Sequence, residues 1–303
     1  MAKTKRGSSP GEFVASLERG LRVLQSFSRE RSQLTLSEVA VLTELSPATA
    51  RRSLHTLEML GYVGRDGRRF LLRPKVLAIS AGYLSAINTT VVLQPFLQEV
   101  VSEVGGSSSV TILDDLDIVY LAHVSANRAI HLTAGVGARY PAYATAMGRV
   151  LLAYQPDWAL DAYFRRARFT KLTDTTETSL AKLRHILKEV RARGFAAVQD
   201  ELDYGIVSAA LPIFGRHGRI VAAADCSDVA NRLDKNGMVA RRIPILRQAV
   251  QRIESMLARH PELESSVDSV ASDHIPPRSL ARVGPPAARL GAASRFAPRN
   301  SRR

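Results

Sequence analysis

Apolar positions in the N-terminal segment recur every three or four residues, which is the spacing of amphipathic helices. We expect a first helix over residues 16–27, with Ser16 as its N-cap. One face of this helix would carry Leu17, Leu21 and Leu24. The polar residues 28–33 then form a loop. Thr35 and Glu38 stand at capping-box spacing, which predicts a second short helix with its apolar residues turned inward.

A third helix is predicted over residues 47–60, because Ser46 is a good N-cap, Pro47 suits the first helical position and Gly61 favours termination. Helical spacing gives this segment an apolar face made of Ala50, Leu54 and Leu57. Its other face carries small, polar and basic residues, namely Ala48, Arg51, Arg52 and His55. Such a helix can pack on a domain and also enter the major groove of DNA.

Two strand-like runs follow, at residues 62–65 and 68–72, joined by Asp66 and Gly67. Asp-Gly favours a two-residue type I′ hairpin, so the sequence predicts a wing after a helix-turn-helix. From Arg51 to Lys75 there are seven basic residues and two acidic ones. The predicted DNA-binding residues are Ser46, Ala48, Thr49, Arg51, Arg52, His55, Arg68 and Arg69. A helical module with a solvated basic face and no role in DNA binding is the alternative.

After Pro74, the mostly apolar residues 76–86 predict a linker helix that needs a partner surface. Further on, helical and strand-like patterns alternate, and strands in antiparallel pairs predict an α+β domain. The predicted helices cover residues 95–104, 144–154, 158–166, 180–193 and 234–257. The predicted strands cover residues 108–113, 118–124, 129–134, 195–198, 206–214 and 219–226.

Changes in composition along the chain predict where its domains and tails begin and end. We expect a disordered arm (1–12), a DNA-binding domain (13–74), a linker (75–93), a second domain (94–259) and a disordered basic tail (260–303). Net charge is +14, but the two terminal segments contribute ten of those charges, so the high pI is weak support for a nucleic-acid partner. With one cysteine, no signal-peptide pattern and no membrane-length apolar run, a cytoplasmic location without membrane association is expected.

Several stretches together carry a family resemblance: SLERGLRVLQSF, LTLSEVA, ATARRSLHTLEMLGYV, DGRRFLL and YPAYATAMGRVLLA. The chain resembles the IclR family of bacterial transcriptional regulators over about residues 14–258. The stretch DELDYGIVSAALPI (residues 200–213) is most similar to the branch that regulates aromatic-acid catabolism through the β-ketoadipate pathway. Two residues depart from the pattern: Glu44 replaces a usual turn glycine, and Val207 stands where the branch often has an arginine.

The resemblance implies that the second domain is GAF-like or profilin-like and binds a small carboxylate or aromatic acid. It also implies a homodimer or homotetramer that reads a pseudo-palindromic operator. The effector-binding residues implied are Tyr143, Ala144, Thr145, Met147, Gly148, Asp200, Ser208, Asp225 and Ser227. Backbone N–H groups of residues 144–146, at a helix start, could receive an anion. Asp225 lies in an apolar strand, where a carboxylate needs a partner.

Enzyme chemistry finds little support in the sequence. The pair Gly135 and Gly137 is no phosphate loop, the histidines lack zinc-site spacing, and the serines after Gly106 lack a nucleophile-elbow pattern. Cys226 is better explained as a small buried residue than as a nucleophile. We therefore predict a regulator with no catalytic residues, metal site or cofactor. The alternative function is a ligand-binding or protein-interaction module without specific DNA binding.

Overall fold

A computed structural model of the 303-residue chain describes residues 13–28, 31–79, 89–126, 135–261 and 263–264. These residues form two compact units that divide between Val76 and Leu77. Several predicted segments lie outside the described residues: the arm 1–12, the strand 129–134, most of the linker helix (80–88) and the tail from 265. Within the described ranges, every helix is too short or too polar to span a bilayer.

The first unit is a helix-turn-helix followed by a wing, as predicted. Its elements are α1 (Ala15–Gln25), β1 (Gln33–Thr35), α2 (Leu36–Thr43), α3 (Pro47–Met59), β2 (Val63–Asp66) and β3 (Arg69–Leu72). The strands form one antiparallel sheet in the order β1-β3-β2. A 3-10 turn (Pro74–Val76) follows the wing, and residues 77–79 are helical.

Local sequence signals explain where these helices start. The Thr35 hydroxyl accepts a hydrogen bond from the Glu38 N–H at 3.3 Å, and the Glu38 carboxylate accepts one from the Thr35 N–H at 2.7 Å. The predicted capping box is therefore confirmed. Ser46 caps α3 and Pro47 occupies its first turn, also as predicted. The inner face of α3 is buried at Ala50, Leu54 and Leu57.

Three predictions for this unit were wrong. Helix α1 starts at Ala15 after Val14, without a side-chain cap, so Ser16 is not the N-cap. Asp66 pairs with Arg69, so the turn residues are Gly67 and Arg68, one position later than expected. Only Gly67 of these two has a positive φ, whereas a type I′ turn needs two. Gln33 was expected in the loop but belongs to strand β1. This strand pairs with β3 of the wing, which lies far away in the sequence.

The second unit is built on one six-stranded antiparallel sheet in the order β6-β5-β4-β9-β8-β7. The strands are β4 (Ser107–Asp114), β5 (Asp117–Ser125), β6 (Arg139–Pro141), β7 (Ala196–Gln199), β8 (Ile206–Phe214) and β9 (Ile220–Val229). The helices are α4 (Thr89–Val104), α5 (Ala146–Ala153), α6 (Asp157–Arg166), α7 (Leu180–Arg193) and α8 (Lys235–Arg259). The predicted α+β class is confirmed.

Helices cover both faces of this sheet, which gives two cores. Helices α4 and α8 pack on one face, against a core that includes Ile112, Val207 and Cys226. Helices α5, α6 and α7 cover the other face, against a core that includes Ile118, Val150 and Ala210. Because neither face of β8 and β9 meets water, these strands read as nearly continuous apolar runs.

Some boundaries in the second unit differ from prediction. Helix α4 is already present at Thr89 and accommodates Pro95, which was expected to start it. A 3-10 turn (Ala142–Ala144) precedes α5, and the short strand β6 was not predicted. The tail predicted as disordered from residue 260 still contains helical residues at 261, 263 and 264. Glu264 is buried, and its carboxylate accepts hydrogen bonds from the backbone and side chain of Arg216, each at 3.0 Å.

Candidate functional site

The outer face of α3 presents the predicted DNA-binding residues together. Ala48, Arg51, Arg52 and His55 are all exposed, on the side of the helix away from the buried stripe. Within the described chain, the guanidinium groups of Arg51 and Arg52 form no ion pair or hydrogen bond. These two cations are therefore free to contact phosphates or base edges.

Two other predicted residues in α3 serve the helix as well. The Ser46 hydroxyl donates to the Thr49 hydroxyl at 2.9 Å and accepts from the Thr49 N–H at 3.3 Å. Ser46 is the N-cap and Thr49 lies in the first turn, where helix N–H groups and the helix dipole favour a phosphate. This pair therefore orients the N-terminus of α3 and can still offer polar contacts.

The wing arginines are not equivalent. Arg68 lies at the exposed turn, whereas Arg69 is partly engaged by the Gln33 carbonyl at 3.4 Å and the Glu38 carboxylate at 3.9 Å. Arg65, which was not predicted as a site residue, stacks over the Phe70 ring with 4.8 Å between guanidinium carbon and ring centroid. Arg68 is thus the freest cation at the wing tip.

Glu44, in the turn before α3, adopts the left-handed conformation with φ +55°. This conformation is strained at a non-glycine position, since side chains with a Cβ disfavour this region. Glu44 is exposed, and its N–H still caps α2 by hydrogen bonding to the Val41 carbonyl at 3.3 Å. The turn keeps its shape at a conformational cost.

A small pocket lies in the second unit where the N-terminus of α5 packs over the sheet. Its walls come from β5, β7, β8 and β9, from α5 and from the loop after β7. The residues that line it are Tyr120, Ala144, Thr145, Ala146, Met147, Val198, Glu201, Leu202, Ile206, Ser208, Asp225 and Ser227. The space of about 20 Å³ suffices for one water molecule, so a ring-sized ligand requires the walls to separate.

Six of the nine predicted effector residues line this pocket: Ala144, Thr145, Met147, Ser208, Asp225 and Ser227. The other three lie outside the lining. Tyr143 packs its ring edge-on against Phe169 and donates its hydroxyl to the Thr170 carbonyl at 2.7 Å. The Gly148 position allows Ala142 to approach α5, because a Cβ there would lie 2.1 Å from the Ala142 carbonyl oxygen. Asp200 has φ +60° and its carboxylate accepts from the Gly205 N–H at 2.5 Å, closing a tight loop.

The start of α5 supplies free N–H donors, but the helix begins at Ala146, two positions later than the predicted residue 144. Thr145 is the N-cap of α5, and its hydroxyl accepts from the Gly148 N–H at 3.1 Å. Its own N–H points back to the Ala142 carbonyl at 3.5 Å. The N–H groups of Ala146 and Met147 begin the helix, so they have no intrahelical acceptor. Of the predicted residues 144–146, only Ala146 therefore begins the helix, and Met147 joins it as a free donor beside the pocket.

A buried ion pair holds the loop after β7 against α5. Arg149, 3% exposed, donates to the two Glu201 carboxylate oxygens at 2.7 Å and 2.5 Å and to the Tyr143 carbonyl at 2.9 Å. The Thr176 hydroxyl donates to the Glu201 carbonyl at 2.7 Å. Leu202 of the same loop lines the pocket. This network therefore positions the part of the loop that forms the pocket wall. Sequence reasoning missed Glu201, since its arginine partner lies 52 positions away.

Asp225 is a buried carboxyl group that lines the pocket from strand β9. Burial raises the pKa of its carboxyl to about 6, and the nearby polar groups of Ser227 and Ser109 reduce that rise. Asp225 in turn raises the pKa of Tyr120, whose own burial is the larger cause. The Ser109 hydroxyl also lies 3.0 Å from Nδ1 of His123. Polar side chains of three adjacent strands, β5, β4 and β9, therefore lie next to one another.

Val207 and Cys226 lie on the other side of the sheet from the pocket. Both belong to the core beneath α4 and α8, while their neighbours Ser208 and Ser227 line the pocket. Val207, which stands where the related branch often has an arginine, therefore packs in the core and does not face the pocket. Alternation along β8 turns residue 207 away from any ligand in the pocket. Cys226 is buried and burial raises the pKa of its thiol, as expected for a packed residue.

A wider cleft of about 470 Å³ opens between the end of α4 and the start of α8. Arg232, Arg241 and Arg242 lie along it, and Arg242 pairs with the buried Asp228 at 3.0 Å. The cleft is open to solvent and is lined by none of the predicted effector residues. The smaller pocket is the better candidate, because it combines free backbone donors with a buried carboxylate.

Comparisons with known proteins agree with this two-part arrangement. Residues 16–67 match the family described as IclR helix-turn-helix domain. Residues 81–255 match the family described as Bacterial transcriptional regulator IclR C-terminal. The chain is 36% identical to the Pca regulon regulatory protein of Pseudomonas putida over 236 residues, covering 78% of this chain and 81% of that protein.

Solved structures show the same fold. The crystal structure of a protein from Rhodococcus sp. RHA1, assigned as a transcriptional regulator, has 43% sequence identity and a TM-score of 0.68. It covers 82% of this chain and 99% of that one. An IclR homolog from Microbacterium hydrocarbonoxydans, crystallised with 4-hydroxybenzoate, has a TM-score of 0.67 and covers 80% of this chain and 99% of its own. At 22% identity, the second likeness concerns the fold alone.

Proposed function

The chain belongs to the IclR family of bacterial transcriptional regulators, and we propose that it regulates the catabolism of aromatic compounds in response to a small acid. As a member of this family it is a DNA-binding protein whose second domain binds an effector. We assign residues 13–74 to DNA binding, 75–93 to the linker and 94–259 to effector binding. The family consists of regulators rather than enzymes, and a cytoplasmic location follows if its target is chromosomal DNA.

The observation that carries the DNA interface is the outer face of α3. Arg51, Arg52 and His55 are exposed on one side of a helix whose other side is fully buried. A helix anchored in this way can enter the major groove without unfolding its own domain. The wing adds Arg68 at its tip, where it can reach the neighbouring backbone.

One feature of the first unit supports a homo-oligomer, which is the assembly that would read a pseudo-palindromic operator. Two-fold symmetric operators are read by paired recognition helices, one for each half-site. Helix α1 and the two residues before it carry exposed apolar side chains, namely Phe13, Val14, Leu17 and Leu21, with exposed fractions between 46% and 62%. Monomeric proteins rarely leave such a group of apolar side chains in water, so a second copy of the chain is the partner we propose for it.

The effector proposal rests on the pocket at the start of α5. The N–H groups of Ala146 and Met147 and the helix dipole favour a negative group, which fits a small carboxylate. The pathway proposal rests on the named relative, which is a regulator of the Pca regulon in Pseudomonas putida. The 4-hydroxybenzoate bound by the Microbacterium homolog makes hydroxybenzoates natural first probes.

Fluorescence anisotropy with Arg52→Ala tests the assigned DNA face. An operator fragment, selected from random duplexes with the wild-type protein, is compared with a scrambled duplex at two salt concentrations. If Arg52 reads a base, specific binding should weaken by about 1–3 kcal/mol, with little change on the scrambled duplex. Lys188→Ala, an exposed position on α7, is the matched charge control.

The outcomes separate the alternatives. Equal loss on both duplexes would make Arg52 a phosphate contact, and no loss would refute the assigned face. If selection from random duplexes enriched no sequence, the proposal of a specific operator would fail. A ligand-binding or interaction module would then explain the chain better.

A further inference from the structure

One oxygen of a buried carboxylate in the pocket lacks a partner. Asp225 lies within β9, between β4 and β8, and is 1% exposed. Its Oδ2 accepts a hydrogen bond from the Ser227 hydroxyl at 2.5 Å. Its Oδ1 is shielded from solvent and makes no hydrogen bond with any described residue. A buried acceptor without a donor is costly, so this oxygen is a site where a donor would bind favourably.

The surroundings of Asp225 do not neutralise it. The nearest elements contribute Tyr120 and His123 from β5, and Ser109 from β4. The cation that reaches the pocket region, Arg149, is committed to both oxygens of Glu201. None of the residues that line the pocket is basic, whereas two of them are acidic. A ligand that brought only a carboxylate would therefore meet Asp225 as an uncompensated like charge.

The two ends of the pocket differ in hydrogen-bonding character. At the α5 end, the Ala146 and Met147 N–H groups are donors that suit an anion. At the β9 end, Asp225 Oδ1 is an acceptor that suits a hydroxyl or an amine. Ser208 and Ser227 lie beside it and add polar surface of either kind. The pocket is therefore complementary to a single molecule that carries both an acceptor group and a donor group.

We infer that Asp225 is the specificity-determining residue of the pocket, and that it selects an effector carrying a hydroxyl or amino group that donates to Oδ1. This inference rests on the proposed function, because it assumes that the pocket binds the effector. The ligand class is a small acid with a separate donor group, and unsubstituted acids are excluded. Discrimination arises because a ligand without the donor leaves Oδ1 buried and unpaired.

The test compares matched acids on the full chain by isothermal titration calorimetry. The probes are benzoate, 3-hydroxybenzoate, 4-hydroxybenzoate and 4-aminobenzoate, each at pH 7.5. Hydrogen bonds to charged groups change affinity by roughly tenfold to a hundredfold, so at least one donor-bearing probe should bind at least tenfold more tightly than benzoate. In Asp225→Ala this preference should disappear, because benzoate no longer meets a carboxylate.

Two further variants keep the test informative if Asp225→Ala folds poorly. Asp225→Asn retains an acceptor of similar shape and should keep part of the preference. Cys226→Ala changes the neighbouring residue on the other face of the sheet and should leave the preference intact. Circular dichroism of each variant checks that the fold is preserved.

Three results would overturn the inference. Equal binding of benzoate and its donor-bearing analogues would do so, as would a preference that survives in Asp225→Ala, and the proposed function would stand in both cases. Binding of no probe at millimolar concentration would remove the inference together with the acid-effector part of the proposed function. Operator binding measured in the same samples tests the DNA-binding part separately.

Discussion

Replacing Asp225 with asparagine should change how the stability of the chain depends on pH. The pKa of Asp225 is raised in the folded protein from its ordinary value of 3.8 to about 6, chiefly by burial. The folded state therefore holds this proton more tightly than the unfolded state. It follows that stability is lost as the pH rises through the interval from about 4 to about 6. Asparagine cannot ionise, so the variant lacks this loss.

The size of the effect follows from the shift. One pKa unit corresponds to about 1.36 kcal/mol, so the rise from 3.8 to about 6 represents about 3 kcal/mol. Because the unfolded carboxyl is already partly ionised at pH 4, stability of Asp225→Asn relative to wild type should increase by about 2–2.5 kcal/mol between pH 4 and pH 7.5. Any fixed cost of the buried amide is present at both pH values and cancels in this difference. Burial lowers the pKa of His123 in both proteins, so the titration of His123 also cancels in this difference.

Urea unfolding of the full chain at several pH values measures this difference. Far-UV circular dichroism follows both units, and fluorescence of Trp158, the sole tryptophan, reports on the second unit. Ser227→Ala provides a matched comparison, because loss of its hydrogen bond should let the pKa of Asp225 rise further and steepen the pH dependence. A relative stability that stays constant from pH 4 to pH 7.5 would refute the assignment of this carboxyl as buried and uncompensated.

Two further changes test local geometry. Glu44→Gly should stabilise the first unit by about 1 kcal/mol, because glycine adopts φ +55° without strain; a thermal midpoint that does not rise would contradict this. The same change removes a negative charge from the turn before α3, so DNA binding in anisotropy assays should not weaken. Gly148→Ala should destabilise the second unit by about 1–3 kcal/mol and impair effector binding, because its Cβ would lie 2.1 Å from the Ala142 carbonyl oxygen. Thermal unfolding close to wild type would mean that the Ala142–Ala144 turn shifts freely away from α5.

Local signals predicted most of the first unit. The capping box of α2, the Ser46 cap of α3 and the face of α3 depend on residues within one or two helical turns. The hairpin turn was misplaced by one residue because its register is set across strands, where Asp66 pairs with Arg69. Strand β1 was missed for the same reason, since its partner lies 36 residues later.

The pocket was only half predictable. Ala144, Thr145 and Met147 are close in sequence, and one motif was enough to find them. Tyr120, Val198 and Ile206 join them through the strand order β6-β5-β4-β9-β8-β7, which the sequence does not state. The sequence did not show whether Val207 or Ser208 faces the pocket. Both faces of β8 are covered by helices, and only the structure shows which face meets α5.

The division of β8 and β9 into two faces has a consequence for how this regulator can diversify. Ser208, Asp225 and Ser227 contact the pocket, whereas Val207 and Cys226 belong to a separate core. Mutations at the first group can therefore alter ligand preference with little epistasis from the second. A combinatorial library restricted to the pocket-facing positions should yield a high proportion of folded variants, and new sensors could be selected without redesigning the scaffold.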